Sequence, residues 1–132
     1  MSISINLLVI HWIADFILQS NWMAQGKSRN TWVGIGALTI HAAVYSLCFI
    51  WWGILFAGIT FVTHWVTDLV TSRITRRLFP FVKAWPLYPD SIEWLNLDGK
   101  SGRSNHWFFV CIGFDQLIHF TTLALTYQWL FS

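Results

Sequence analysis

The chain has 132 residues, of which 55% are hydrophobic, 18% aromatic and only 11% charged, against about 25% charged in ordinary globular proteins. A soluble domain this small has too much surface to cover with so few charges, and so much apolar material excludes disorder. A net charge of +2 excludes nucleic-acid binding through a broad basic face, and Cys48 and Cys111 lie inside apolar runs, where they read as packing residues and not as a disulfide scaffold.

Four apolar stretches reach the roughly 20 residues that a helix needs to cross a bilayer: 3–24, 32–52, 54–78 and 106–131. The chain is therefore predicted to be all-α, a polytopic membrane protein whose single domain over residues 1–132 is a four-transmembrane-helix bundle. The first stretch reads as a span and not as a cleaved leader, because it lacks a basic start and is interrupted by His11, Asp15 and Gln19. Only Gly53 and its neighbours separate the second and third, which predicts a tight antiparallel hairpin. Residues 79–105 hold all three prolines and the polar run from Asp98 to Asn105. They read as a cytoplasmic loop lying partly on the membrane surface, with Phe81, Trp85, Tyr88 and Trp94 in the interface. His106 follows Ser104 and Asn105 and reads as a capping or interfacial residue at the start of the last helix.

With alternating crossings, all eight lysines and arginines fall on one side, which the positive-inside rule makes cytoplasmic. Both termini then face the non-cytoplasmic side. Trp22, Trp32, Trp51, Trp52, Trp107 and Trp129 lie near predicted helix ends, where an amphipathic ring prefers the headgroup level.

Within the spans lie three aspartates, Asp15, Asp68 and Asp115, and four histidines, His11, His41, His64 and His119. Burying a carboxylate in hydrocarbon costs a few kcal/mol, so seven such groups require each other or a cation. His11 and Asp15, His64 and Asp68, and Asp115 and His119 are each four residues apart, which puts the members of a pair on one helix face. Gln19 extends the first stripe, and Tyr45 lies one turn beyond His41. Counting about 1.5 Å of rise per residue from the outer ends brings all but His11 into one layer near or just inside the midplane.

Imidazole with carboxylate is a ligand set for zinc, manganese or iron, and helical bundles hold paired metals with inward-facing side chains of these kinds. The expected site is therefore one or two divalent ions, zinc foremost, held by His11, Asp15, His41, His64, Asp68, Asp115 and His119. Asp15, Asp68 and Asp115 are the catalytic candidates, with one carboxylate left over as a base. Gln19, Tyr45 and Gln116 are candidates for holding the ligands in place. Lys27 and Arg73, toward the cytoplasmic ends, read either as snorkelling interfacial cations or as binders of an anionic headgroup.

The residues His11-x3-Asp15-Phe16-x2-Gln19, Trp22-Met23-Ala24-x2-Lys27, His41-x3-Tyr45, Thr63-His64-x2-Thr67-Asp68 and Gly113-Phe114-Asp115-Gln116-x2-His119 resemble the domain-of-unknown-function 3307 family, small multi-pass proteins of bacteria and their phages. The resemblance covers nearly the whole chain apart from residues 79–105. It implies a bacterial inner-membrane location, a fold and a shared polar site, but no reaction. In ligand spacing alone the chain is also similar to membrane-bound metal-dependent hydrolases and to enzymes of the zinc phospholipase C type.

The leading expectation is metal-dependent hydrolysis of a lipid-linked ester, foremost a phosphoester, with membrane lipid as the partner and no nucleic acid. The first alternative is a proton or cation transporter or channel using the same cluster, which with four helices needs a homodimer or a larger membrane complex. The second is a non-catalytic membrane interaction protein. Gly34, Gly36, Ala37 and Gly58 permit close helix contact within or between subunits.

Overall fold

Ile5 opens an apolar run that winds into α1 (Ile5–Trp12) in the computed structural model, which describes residues 5–78 and 102–132. The helix does not continue evenly. Ile13–Ile17 form one wide π turn, closed by the Leu18 N–H donating to the Ile13 carbonyl at 3.0 Å, a bond that spans five residues instead of four. The Ser20 side chain then accepts the Met23 N–H at 3.3 Å and caps a new short helix, α2 (Asn21–Gly26). The single helix expected over 3–24 is thus broken, and Gln19 falls in the break rather than on a continued stripe.

Thr31 caps α3 (Trp32–Leu47) by accepting the Gly34 N–H at 3.1 Å. This helix ends short of the expected residue 52, because the chain tightens into a 3-10 turn, Ile50–Trp52. Gly53 then reverses direction at φ 107°, a conformation strained for any residue with a Cβ. From it α4 (Ile54–Leu78) leaves as the second arm of the expected hairpin. The last helix, α5 (Gly102–Phe131), starts earlier than the expected residue 106, so residues 102–105 are helical and His106 lies inside the helix instead of at its start. The remainder of the expected loop, with Phe81, Trp85, Tyr88 and Trp94, lies outside the described residues.

Two segments are long and apolar enough to cross a membrane, Ile54–Thr75 and Phe109–Phe131. Ile5–Ile17 and Trp32–Leu47 are apolar but shorter. The 16 residues of α3 rise about 24 Å, below the roughly 30 Å of a hydrocarbon core.

α4 packs against both α3 and α5, while the N-terminal segment touches α3 through its π turn and α5 through α1. α2 folds back on α3 at a contact only glycine allows. A Cβ on Gly34 would collide with the Arg29 carbonyl oxygen and lie 2.9 Å from that of Gly26. This close approach brings the end of α2, and with it Lys27, over the interior.

The interior has two layers. Leu7, Ala14, Phe49, Phe56 and Leu123 form an apolar cluster edged by Trp52 and Tyr127, with Tyr45 at its border. Beyond Tyr45 the buried ionisable side chains are His11, Asp15, His41, His64, Asp68 and His119, with Ala37, Leu38 and Ala42 of α3 buried beside them. Outside, Trp32 and Trp51 are 88% and 90% exposed, and Ile54 and Trp129 are open too. Ionisable groups inside and large apolar groups outside invert the pattern of a water-soluble protein.

Candidate metal centre

Four segments converge on the polar layer. The π turn carries Asp15, α3 carries His41, α4 carries His64 and Asp68, and α5 carries Asp115 and His119. The pairs on α4 and α5 keep the one-turn spacing of a regular helix, so each presents both of its members inward. In the N-terminal segment the wide turn separates the roles of His11 and Asp15. Asp15 faces His41, while His11 contacts Tyr45 and Gln116.

The Nε2 atoms of His41 and His64 are 3.1 Å apart. Asp15 Oδ1 lies 3.0 Å from the first and 3.5 Å from the second. Asp68 Oδ2 lies 3.3 and 3.6 Å from the same two atoms. Each carboxylate oxygen thus completes a triangle with the two nitrogens. An ion bound tetrahedrally at about 2.0–2.1 Å would separate its ligands by about 3.3–3.4 Å, so both triangles have the size of one face of such a site. His119 Nε2 is 3.3 Å from Asp68 Oδ1 and 3.4 Å from Asp115 Oδ1. Among the described residues, three sets of donor atoms lie close enough to hold an ion: Asp15, His41 and His64; His64, Asp68 and His119; and Asp15, Asp115 and His119.

His41 Nε2 has three acceptor atoms within 3.3 Å, and one N–H can serve one of them well. The Nδ1 atoms of His41 and His64 are buried without a partner, so both rings commit their Nε2 side to the cluster. Tyr45 stacks on His64 with ring centroids 3.7 Å apart, and His64 stacks on His119 at 4.1 Å, which holds the imidazole planes in position.

A second set of contacts orients Asp15. Gln116 Nε2 donates to Asp15 Oδ2 at 2.6 Å. Its Oε1 is then the acceptor for His11 Nε2–H at 3.0 Å, which leaves His11 Nδ1 to accept from the Tyr45 hydroxyl at 2.6 Å. The carboxylate admits only a donor at its end of the chain, and that fixes every direction after it. Asp115 is held by the Thr71 hydroxyl at 2.5 Å.

Lys27 reaches in from the end of α2 and places Nζ 3.2 and 3.0 Å from the two oxygens of Asp68. Burial works against its charge, but the carboxylates of Asp68, Asp15 and Asp115 outweigh it and hold its pKa above the ordinary lysine value. Its ammonium is paired with Asp68 at 3.0 Å. Arg73 donates from Nε to Asn30 Oδ1 at 2.5 Å and from Nη1 to the Leu69 carbonyl at 3.3 Å, so it ties α4 to the loop before α3.

Of the seven expected ligands, the structure gathers Asp15, His41, His64, Asp68, Asp115 and His119. His11 stands one contact back from them. Tyr45 and Gln116 sit beside the cluster and contact it, whereas the Gln19 amide nitrogen is buried without a partner. Two contributors were missed, the partnership of Lys27 with Asp68 and the grip of Thr71 on Asp115. Thr71 lies seven residues after His64 and three after Asp68, a helical spacing that marks it as part of the same face.

This is a helical protein with a buried centre of histidines and aspartates able to hold a metal ion. Residues 3–132 match the family model described as protein of unknown function (DUF3307), and the chain belongs to that family. No curated protein and no solved structure matches it.

Proposed function

We propose that this protein is a membrane-embedded divalent-metal protein whose chemistry is the hydrolysis of a lipid-linked ester, foremost a phosphoester. The observation that supports the metal is the pair of triangles on His41 and His64, with edges of 3.0–3.6 Å. A nitrogen and oxygen donor set of this size suits zinc first, then manganese or iron. Bound there, such an ion supplies Lewis acidity to an ester oxygen and lowers the pKa of a water. Asp15 and Asp68 hold the cation. In this reading Asp115 Oδ2, whose contact to Gln116 is long at 3.4 Å, takes the proton from the attacking water. The exposed tryptophans and the distribution of basic residues fit a bacterial inner membrane, with both termini on the non-cytoplasmic side and membrane lipid as the partner.

A second reading has its own observation. The midplane histidines and aspartates are joined by direct contacts from Asp15 through His41, Asp68 and His119 to Asp115, groups that can each carry a proton, with a dimer completing the route. Elemental analysis separates the two. The detergent-purified protein should retain zinc, manganese or iron, and a His64→Ala/Asp115→Ala variant should not. A folded wild type free of metal would sink the first reading and make proton flux in liposomes the next measurement.

A further inference from the structure

We infer that the cluster is divided into two unequal cation sites bridged by Asp68, an inference that rests on the metal-binding reading above. The two oxygens of Asp68 face different imidazoles. Oδ2 lies toward His41 and His64, at 3.3 and 3.6 Å, and Oδ1 lies toward His119, at 3.3 Å. An imidazole Nε2 has one lone pair and serves one ion, whereas a carboxylate can give one oxygen to each of two. His41 and His64 thus face one oxygen of Asp68 and His119 the other, and the triad of His64, Asp68 and His119, also within ligand distance, links the two sites.

The first set is Asp15 Oδ1, His41 Nε2, His64 Nε2 and Asp68 Oδ2, four donors that suffice for a closed coordination shell. The second is centred on His119 Nε2, with Asp68 Oδ1 at 3.3 Å and Asp115 Oδ1 at 3.4 Å from it, three donors that leave a position open for a water or a substrate oxygen. Thr71 holds Asp115 by the same Oδ1, which fixes that oxygen in place and leaves Oδ2 for the proton. Lys27 Nζ also contacts both oxygens of Asp68, so its charge enters the balance of either site.

Charge points the same way. One divalent ion would neutralise the three carboxylates together with Lys27. A second leaves a surplus of two positive charges, which a phosphodiester offsets in part and a phosphomonoester nearly in full, and which a neutral carboxylic ester does not offset. Two ions about 3.5–4 Å apart stabilise both the attacking and the leaving oxygen of an in-line displacement at phosphorus. The second site, with its open position, is the one at which substrate oxygen enters.

The test is a titration of the metal-stripped, detergent-solubilised full chain with Mn2+, followed by paramagnetic resonance. The wild type should take up about two equivalents and give the broadened spectrum of an exchange-coupled pair. Asp115→Asn should take up about one and give the six-line spectrum of an isolated ion. Thr71→Ala removes no donor and should weaken only the second equivalent, by about tenfold, with circular dichroism reporting that both variants remain folded. One equivalent in the wild type, two without coupling, or two retained in Asp115→Asn would overturn the bridged pair while leaving metal binding intact. No uptake at all would overturn the metal reading itself.

Discussion

Phe56 and His64 lie two turns apart on α4, and both are fully enclosed, at 1% and 2% exposed. Phe56 meets Phe49, Trp52, Tyr127 and Phe131, with ring centroids 5.8–6.4 Å away. His64 lies between Tyr45 and His119 and turns Nε2 toward His41, Asp15 and Asp68. The surroundings of Phe56 are satisfied by packing and dispersion alone. Those of His64 desolvate carboxylates, which costs several kcal/mol per ion unless a cation and hydrogen bonds compensate. One helix thus carries a layer that stabilises the fold and a layer that the fold holds at a cost, and the second kind marks function.

The sharpest way to break this contrast is to exchange the roles. His64→Ala should abolish metal retention, read by elemental analysis. Phe56→Ala should leave the metal content unchanged and lower unfolding stability by about 3–5 kcal/mol. Loss of metal from Phe56→Ala, with His64→Ala retaining it, would show that the two layers are not separate in function. A smaller effect is expected at the contact that aims Lys27. Gly34→Ala forces α2 away from α3 and should cost about 1–3 kcal/mol, as overpacking does, visible as a lower unfolding midpoint.

Lys27→Met sharpens the comparison within the polar layer. It removes a positive charge 3.0 Å from a ligand oxygen, and divalent-metal affinity should rise about tenfold, since repulsion between cations at this range is worth on the order of 1 kcal/mol or more. A fall in affinity, measured by competition with a chelator, would instead make Lys27 a support for the ligand geometry. The smallest expected effect is alkaline. The pKa of Lys27 is raised on folding, so its contribution to stability is present in full below the ordinary value of 10.5 and is lost as pH rises through the folded value. The unfolding midpoint of the wild type should drop on that side, while that of Lys27→Met stays level across the same range.

Much of the site was legible because two of its helices are regular. In α4 and α5 the four-residue spacing of His64 with Asp68 and of Asp115 with His119 translates directly into a shared face. It failed for His11 with Asp15, where a π turn intervenes. The i to i+5 bond that makes this turn leaves no mark in the residue types of Ile13–Ile17. It also failed for Lys27, whose chemistry in isolation fits a headgroup as well as a carboxylate. Its partner, Asp68, is 41 residues away, beyond any local pattern.

Composition and spacing alone determined the helical class, the apolar exterior and the identity of the buried ionisable groups. These follow from solvent matching and from 3.6 residues per turn, and both are properties of local sequence. Tertiary structure decided where the first helix breaks, which oxygen of Asp68 each imidazole faces, and that Gln116 joins His11 to Asp15 across 101 residues. Those outcomes depend on how helices approach one another. At Gly34 that approach is set by the clearance of a single Cβ, and at Asp68 by two oxygens pointing in different directions.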